Sequence, residues 1–427
     1  MRLSSLTTLL CALLFLLQTT TVSALPFGAF DPRSLAMGGT GVASGTSANA
    51  AYYNPALLSM YKTRKEIGRN SRFIVPSVTA KAADAVLDNI DIEDENLEQD
   101  LVNAIGDFND NPNSQTAQGV LNSATDLNSR LNQLLDGPVH ADANVGIILG
   151  IGHKHEGGSF IINRRGVGTG TVENYSGDLA LLEDYVEAMQ FVETNGAAGT
   201  PHPELFNANG ELIDQTGNLA STGNGAGLDI TELGIALSKE FQIQKRDISI
   251  GITPKILRVI IYDFDATAAT GETNSTKDEN EDWDVNLDIG IAHQINSQWR
   301  TGLIFKNIRS LSYTTSLGTE INLEPQVRAG LSYASPWGLY AVDLDIIENE
   351  PIAYGSPSQE LSLGGEWILK RWFQIRGGIS KNLKGEGNNA DPLYSVGFRW
   401  DFGGFLDLTY AYGSGAEAAG FQLGYRF

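Results

Sequence analysis

The feature that most restricts the fold is an alternation of apolar and polar residues, at period two, that runs through the second half of the chain with hardly a break. Trp283, Val285, Leu287, Ile289 and Ile291 fall on one face of a strand, with Asp284, Asn286, Asp288, Gly290 and Ala292 on the other. Val327, Ala329, Leu331 and Tyr333 then oppose Arg328, Gly330 and Ser332; Phe373, Ile375 and Ile379 oppose Gln374, Arg376 and Gly378. The last strand sets Phe421, Leu423, Tyr425 and Phe427 against Gln422, Gly424 and Arg426. The same alternation marks strands near 301 to 305, 340 to 346, 361 to 367, 394 to 400 and 406 to 410, and further strands are expected near residues 69 to 80, 139 to 152, 158 to 172, 226 to 243 and 247 to 262, which brings the count to fourteen. A soluble sandwich would turn polar outer faces to water on many strands. Here one face is rich in Trp, Tyr, Phe, Leu and Ile on nearly every strand and the charges lie opposite, so the expected fold is all-β: a transmembrane antiparallel barrel of about 14 strands with lipid outside.

Loop lengths agree. Connections at 153 to 157, 244 to 246, 296 to 298, 335 to 338, 370 to 371 and 401 to 404 are short, and those between them are mostly long, as periplasmic turns and outer loops are. Trp283, Trp299, Tyr333, Trp367, Trp372 and Trp400 gather at strand ends, where aromatic girdles would meet the membrane interfaces. Two regions break the pattern. Residues 84 to 136 carry Leu97, Leu101, Ile105 and Phe108, then Val120, Ala124, Leu127 and Leu131, at helical spacing, and 178 to 192 reads as a third helix in a long outer loop, 173 to 225. Their apolar faces either pack on one another and the rim or form a lid or partner surface.

Residues 1 to 24 read as an export signal, with Arg2, an apolar run from Leu9 to Leu17, and Val22-Ser23-Ala24 as a cleavage site near Ala24. The expected location is the bacterial outer membrane, with lipid, lipopolysaccharide and the barrel-insertion machinery as partners. Cys11 is the single cysteine and lies inside the signal, which leaves no thiol chemistry or cysteine metal site beyond it. A net charge of -22 disfavours nucleic acid. No nucleophile elbow, phosphate-binding glycine loop or His-centred arrangement points to an enzyme, and no cofactor or metal is expected. His153 and His155 read as a solvated turn, and the acidic runs 91 to 98 and 278 to 284 lack EF-hand spacing.

The segment from Phe30 through Arg33, Met37, Gly38, Gly39 and Gly41, followed by Asn49 to Leu58 with its Asn54-Pro55-Ala56 element, is similar to the mature N-terminus of the FadL and TodX outer-membrane transport family. The resemblance implies that residues 25 to 68 form a hatch within a barrel spanning 69 to 427, with Met37, Gly38, Gly39, Asn54, Pro55 and Ala56 as its working parts. Within that superfamily the chain most resembles barrel-type proteins labelled conjugal transfer protein TraF, through Tyr185-Val186-Glu187-Ala188, the stretch 207 to 214, Glu232-Leu233-Gly234 and Gly251-Ile252-Thr253-Pro254-Lys255. Two functions follow: gated passive uptake of small hydrophobic molecules, or a non-transporting structural barrel of a conjugation or secretion apparatus.

The inward set Glu232, Lys255, Arg258, Asp284, Asp288, Arg328, Arg376 and Arg399 reads either as ion pairs that brace the lumen or as a polar path. Glu232 is expected opposite Arg258, with a bulge near Ile256 bringing Lys255 and Arg258 to one face. The terminal set Phe421, Leu423, Tyr425 and Phe427 should face lipid and resembles a barrel-insertion signal.

Overall fold

The computed structural model describes residues 26–60, 71–83, 97–134, 139–153, 155–173, 175–196, 200–244, 246–267, 273–277, 281–385 and 391–427. The expected signal segment lies outside these residues, as do parts of the helical insertion and of both acidic runs. Seventeen strands are formed among the described residues: β1 (Arg72–Ala83), β2 (Val139–Ile151), β3 (Glu156–Glu173), β4 (Thr222–Ile243), β5 (Arg246–Thr267), β6 (Thr273–Lys277), β7 (Asp282–Gln294), β8 (Trp299–Lys306) and β9 (Leu311–Thr314). They continue with β10 (Glu320–Leu323), β11 (Gln326–Ser335), β12 (Gly338–Asp345), β13 (Glu360–Lys370), β14 (Phe373–Asn382), β15 (Leu393–Asp401), β16 (Gly404–Gly413) and β17 (Ala416–Arg426).

Fourteen of these close a barrel in which every neighbouring pair is antiparallel. The ladder runs β4-β3-β2-β1-β17-β16-β15-β14-β13-β12-β11-β8-β7-β5 and is sealed by β4 against β5. The terminal strand pairs with the first, Arg426 opposite Arg72, so no edge is left open to hydrocarbon. β6 extends the edge beside β5, while β9 and β10 form a separate hairpin.

The alternation decides which way each strand faces. Phe421, Leu423, Tyr425 and Phe427 lie exposed on the outside with Val145, Ile147, Leu149, Leu233, Ile235 and Leu237, while Gln422 is buried inside. No described helix is long and apolar enough to cross a membrane; the crossing is made by strands. At the periplasmic end Trp299, Tyr333, Tyr340 and Trp367 stand on successive wall strands, their ring centroids 4.9, 6.5 and 5.9 Å apart, and Trp372, Phe373, Phe398 and Trp400 continue the belt. Trp367 Nε1 donates to the Tyr340 hydroxyl at 3.0 Å, which satisfies the indole where water thins out.

β4 and β5 are each 22 residues long, roughly 70 Å at about 3.3 Å per residue, whereas a crossing needs about ten residues. The surplus stands outside the membrane. Leu228, Ile230, Leu257, Val259 and Ile261 line its inner face and are roofed by Leu311, Tyr313, Ile321 and Leu323 of the β9–β10 hairpin and by Ile352. An apolar cap therefore covers that side of the mouth.

The helices expected in the outer loops are α3 (Leu97–Asp110), α4 (Ser114–Leu134) and α5 (Ser176–Asn195); the short α1 (Pro32–Ala36) and α2 (Ala50–Tyr53), which precede them in the chain, lie inside the barrel. Leu101, Ile105, Phe108, Val120, Ala124 and Leu127 pack with Leu182, Tyr185, Met189 and Val192, so the helices bury their apolar faces against one another in a core separate from the lumen.

Candidate functional site

Residues 26 to 60 form a plug inside the barrel, and nearly all are buried. Local chemistry sets its path. Asp31 caps α1, its Oδ1 accepting from the amides of Arg33 and Ser34 at 3.0 and 3.2 Å, while Oδ2 accepts from Asn49 Nδ2 at 3.0 Å and ties the first turn to the second helix. Gly38 and Gly39 follow with φ of 66° and 90°, left-handed values that favour glycine, and turn the chain under buried Met37. Asn54 ends α2 in an extended conformation and starts a 3-10 turn, Pro55–Ser59, by accepting from Ala56 N at 3.1 Å. Pro55 is at home there because the first amide of a helical turn has no partner to lose. The Asn54 amide donates to Val42 O and to Ile291 O of β7, both at 3.0 Å, which joins plug to plug and plug to wall.

The wall makes room for this segment with glycines on its inner face. A methyl placed on Gly290 would lie 2.1 Å from Asn54 Oδ1, on Gly302 2.4 Å from Val42 O, on Gly364 2.3 Å from Met37 O and on Gly378 2.1 Å from Gly38 N. Real side-chain contacts are not that short, so plug backbone rests directly on wall backbone. Hydrogen bonds complete the seat. The Asp343 carboxylate accepts from Gly41 N and Val42 N at 2.7 and 2.9 Å, Gly38 N donates to Ser395 Oγ at 3.1 Å, and Thr409 Oγ1 donates to Pro32 O at 2.7 Å. At the periplasmic end His153 N and His155 N donate to Leu58 O and Ser59 O, both at 3.1 Å. The two histidines thus sit in a turn that holds the plug's end.

Most buried charges around the plug are ion-paired. Asp407 accepts from Arg376 at 2.6 Å, from Arg399 at 2.8 and 2.6 Å, and from Gln422 at 2.7 Å. Glu366 bridges Arg376 at 2.8 Å and the plug's Arg33 at 3.0 Å. Arg328 is held by Asp345 at 2.5 Å and Glu360 at 3.0 Å, with the Phe27 ring 4.1 Å from its guanidinium carbon. Lys255 meets Glu232 at 2.9 Å and Asp288 at 3.1 Å, and Lys306 stands 3.9 Å over the Phe30 ring. Such pairs gain little net stability but are costly to break singly.

The structure brings the expected ionic residues into the lumen with one exception. Arg258 points outward and bonds Glu281 above the membrane. Glu232 lies across from Leu257, pairs instead with Lys255, and the register on both sides of Ile256 is unshifted, so no bulge forms there. Parity is the reason: Lys255, Leu257 and Val259 face in, Ile256 and Arg258 face out, and beyond the lipid an outward arginine meets water. Asp284 bonds Arg309 at 3.1 Å and Tyr313 at 3.1 Å near the rim. Sequence reasoning placed Arg33 in the resemblance motif without an ion-pair role, and it did not single out Arg165, which bonds Asp142 at 2.5 Å and Pro26 O at 3.1 Å.

Two adjoining cavities lie on the outer side of the plug. The larger, about 120 Å³, is lined by Pro26, Lys81, His140, Ile352, Tyr354 and Leu393 among others, and a second of about 70 Å³ reaches down to Phe27, Leu35, Gly38 and Gly39. Plug residues 40 to 60 line neither. In the outer loop, His202 sits among carboxylates: Nε2 is 3.1 Å from Glu187, and Nδ1 is 3.1 Å from Glu204 and 3.5 Å from Asp184. The hydrogen bond to Glu187, with help from Glu204 and Asp184, holds its pKa above the ordinary histidine value. Nearby, burial pushes the Tyr185 hydroxyl up to about 12; it donates to Ile213 O at 2.5 Å and accepts from Gln215 N at 3.1 Å.

A closed fourteen-stranded transmembrane barrel, aromatic at its periplasmic rim and filled by its own N-terminal segment, is an outer-membrane β-barrel of the plugged type. The family model described as "F plasmid transfer operon, TraF, protein" matches residues 51–345, and the chain belongs to that family. Similar solved structures include the CymD monoaromatic hydrocarbon channel (10% identity, covering 94% of this chain and 97% of that one, TM-score 0.43). The P. putida toluene transporter TodX matches at 11% identity over 93% and 96% of the two chains with a TM-score of 0.42. A Pseudomonas aeruginosa FadL homologue matches at 10% over 96% and 99% with a TM-score of 0.45. Among the curated proteins, none matches this sequence.

Proposed function

We propose that the protein admits small hydrophobic molecules from outside, with residues 26 to 60 acting as a hatch that must shift for passage. The observation that carries this reading is the outer cavity: its floor is the start of the plug, Pro26, and the adjoining cavity continues along Phe27, Leu35 and Gly39. A volume of about 120 Å³ suits one small ring, since an apolar cavity of about 150 Å³ takes benzene. Pro351, Ile352, Tyr354 and Leu393 supply apolar contacts, and Lys81, His140 and Thr169 supply polar ones. Passage then requires Asn54 to release Ile291 O, the bond that fastens the hatch's centre to β7.

The test is uptake of a single-ring hydrocarbon into proteoliposomes by the native chain, Asn54→Ala and Pro55→Ala. Flux that rises in either variant supports gating. Unchanged flux in both removes the hatch from the pathway.

The enclosure of Asn54 favours a second reading, a barrel that anchors partners of a conjugation or secretion apparatus with its plug fixed. Asn54 is fully buried, and neither outer cavity touches residues 40 to 60. That reading expects no hydrocarbon uptake by the native chain and specific cross-links to envelope proteins at the helical outer core.

A further inference from the structure

On the β11–β16 side the plug's backbone is bonded to Asp343, Ser332, Ser395 and Thr409, and Arg33 is ion-paired to Glu366. On the β2–β3 side the plug is held by Asn144 Nδ2 to Phe30 O at 2.9 Å, by Arg165 to Pro26 O at 3.1 Å and by the amides of His153 and His155, but between these bonds a set of buried polar atoms has no protein partner. Asn163 is 1% exposed, and neither atom of its amide has a protein partner; the same holds for the hydroxyls of Tyr52, Ser47 and Ser159 and for Asn144 Oδ1. Elsewhere along the lumen the unmatched atoms are scattered: single hydroxyls such as Ser249 and Ser362, one oxygen of Asp343 whose other oxygen accepts from the plug, and the spare nitrogen of ion-paired Arg376.

Register sorts the converging groups into two levels. In the upper one Asn163 lies across from Gly146, and a methyl on Gly146 would sit 2.4 Å from the Tyr52 hydroxyl and 2.9 Å from Asn163 Oδ1. Asn163 also lines a cavity of about 20 Å³ with Arg165, Glu232, Lys306 and Asn307, and Asn307 Oδ1 is likewise unmatched. In the lower level Ser159 lies across from Gly150, where an added methyl would meet Ser47 O at 1.8 Å. One rung separates the two levels: Ile148 paired with Ile161, 0% and 2% exposed.

A buried polar atom without a partner costs more than a made hydrogen bond returns, so both levels must recruit water, and the upper cavity has room for one molecule. An apolar rung between two wet levels is the arrangement that closes a pore by excluding water. We propose that the β2–β3 side of the lumen is a path past the plug for water and small uncharged polar solutes, hydrated above and below and shut at the Ile148–Ile161 rung. It is separate from hydrophobic uptake, since it uses neither the outer cavity nor Asn54.

The experiment is glycerol swelling of proteoliposomes bearing the full barrel, with folding verified by heat-modifiable gel migration. Ile148→Ser combined with Ile161→Ser is expected to raise the swelling rate roughly tenfold, as about one hydrogen bond is restored to each passing molecule. Adding Asn163→Leu should reverse most of the gain by drying the upper level. Ile304→Ser, an equally buried inward position on β8, serves as the control and should change nothing. No increase in a folded double variant, an equal increase from Ile304→Ser, or no reversal by Asn163→Leu each overturns the proposal.

Discussion

Gly378 offers the sharpest test of how the plug is seated, because its chain neighbour supplies the control. Both glycines lie on β14. A methyl on Gly378 would stand 2.1 Å from Gly38 N, 2.3 Å from Met37 C and 2.8 Å from Gly38 Cα, all backbone atoms that cannot rotate away. A methyl on Gly377 faces outward, and its nearest neighbours are 3.7 and 3.8 Å away, ordinary contact. Gly378→Ala therefore forces the turn at Met37 and Gly38 off the wall by more than an ångström. Overpacking of this kind costs about 1–3 kcal/mol, and the Gly38 N to Ser395 Oγ bond adds about 1 kcal/mol if lost. The expected weakening of the seat is about 2–4 kcal/mol. It should appear as faster proteolysis of the N-terminal segment and higher bilayer conductance while the barrel keeps its heat-modifiable migration. Gly377→Ala should be neutral or slightly stabilising, since it only removes a flexible residue from a strand. Identical behaviour of the two variants would refute the direct backbone-on-backbone contact.

Asp407→Ala should destabilise the barrel itself by about 3–5 kcal/mol in urea unfolding from lipid vesicles, because Arg399 would be left buried without its carboxylate; Glu281→Ala, which removes a partner of the solvated Arg258 at the rim, should leave the unfolding midpoint almost unchanged. His202 predicts a pH response in the outer core. Its folded pKa is raised, so its stabilising contribution is complete below the unfolded histidine value and fades as pH rises through the folded one. Hydrogen exchange of residues 200 to 214 should therefore quicken relative to His202→Gln as pH climbs above about 6.5, and a flat ratio would count against the carboxylate clamp.

How far the fold could be read from sequence depended on what each face touches. From Asp282 onward the outer face meets lipid and the inner face meets charge, so parity and turn positions were legible. The outer parts of β4 and β5 were placed as strands, near 226 to 243 and 247 to 262, but their facing was not legible, because their inner face is apolar as well, with Leu257, Val259 and Ile261 under the cap, and a strand apolar on both sides carries no period. The same ambiguity misplaced Arg258. Strands of four residues, as in the β9–β10 hairpin, are too short to show a pattern at all. In the plug, the resemblance marked Gly38, Gly39, Asn54 and Pro55, but its seat on the wall did not show, because glycines contribute an absence of atoms. His202 lies 18 positions from Asp184 and joins it only after a helix reverses the chain, a spacing with no motif.

The glycine-lined seat also limits how such a barrel can be altered. Where a side chain meets a side chain, one partner can change and the other repack; where backbone meets bare backbone there is nothing to repack, and the plug and the wall are cast to a single mould. A plug transplanted from another barrel would seat only if that donor's glycines came with it, rung by rung. The unit that can be exchanged between such proteins is therefore the plug together with the inner lining of its wall, even though hundreds of residues separate the two along the chain.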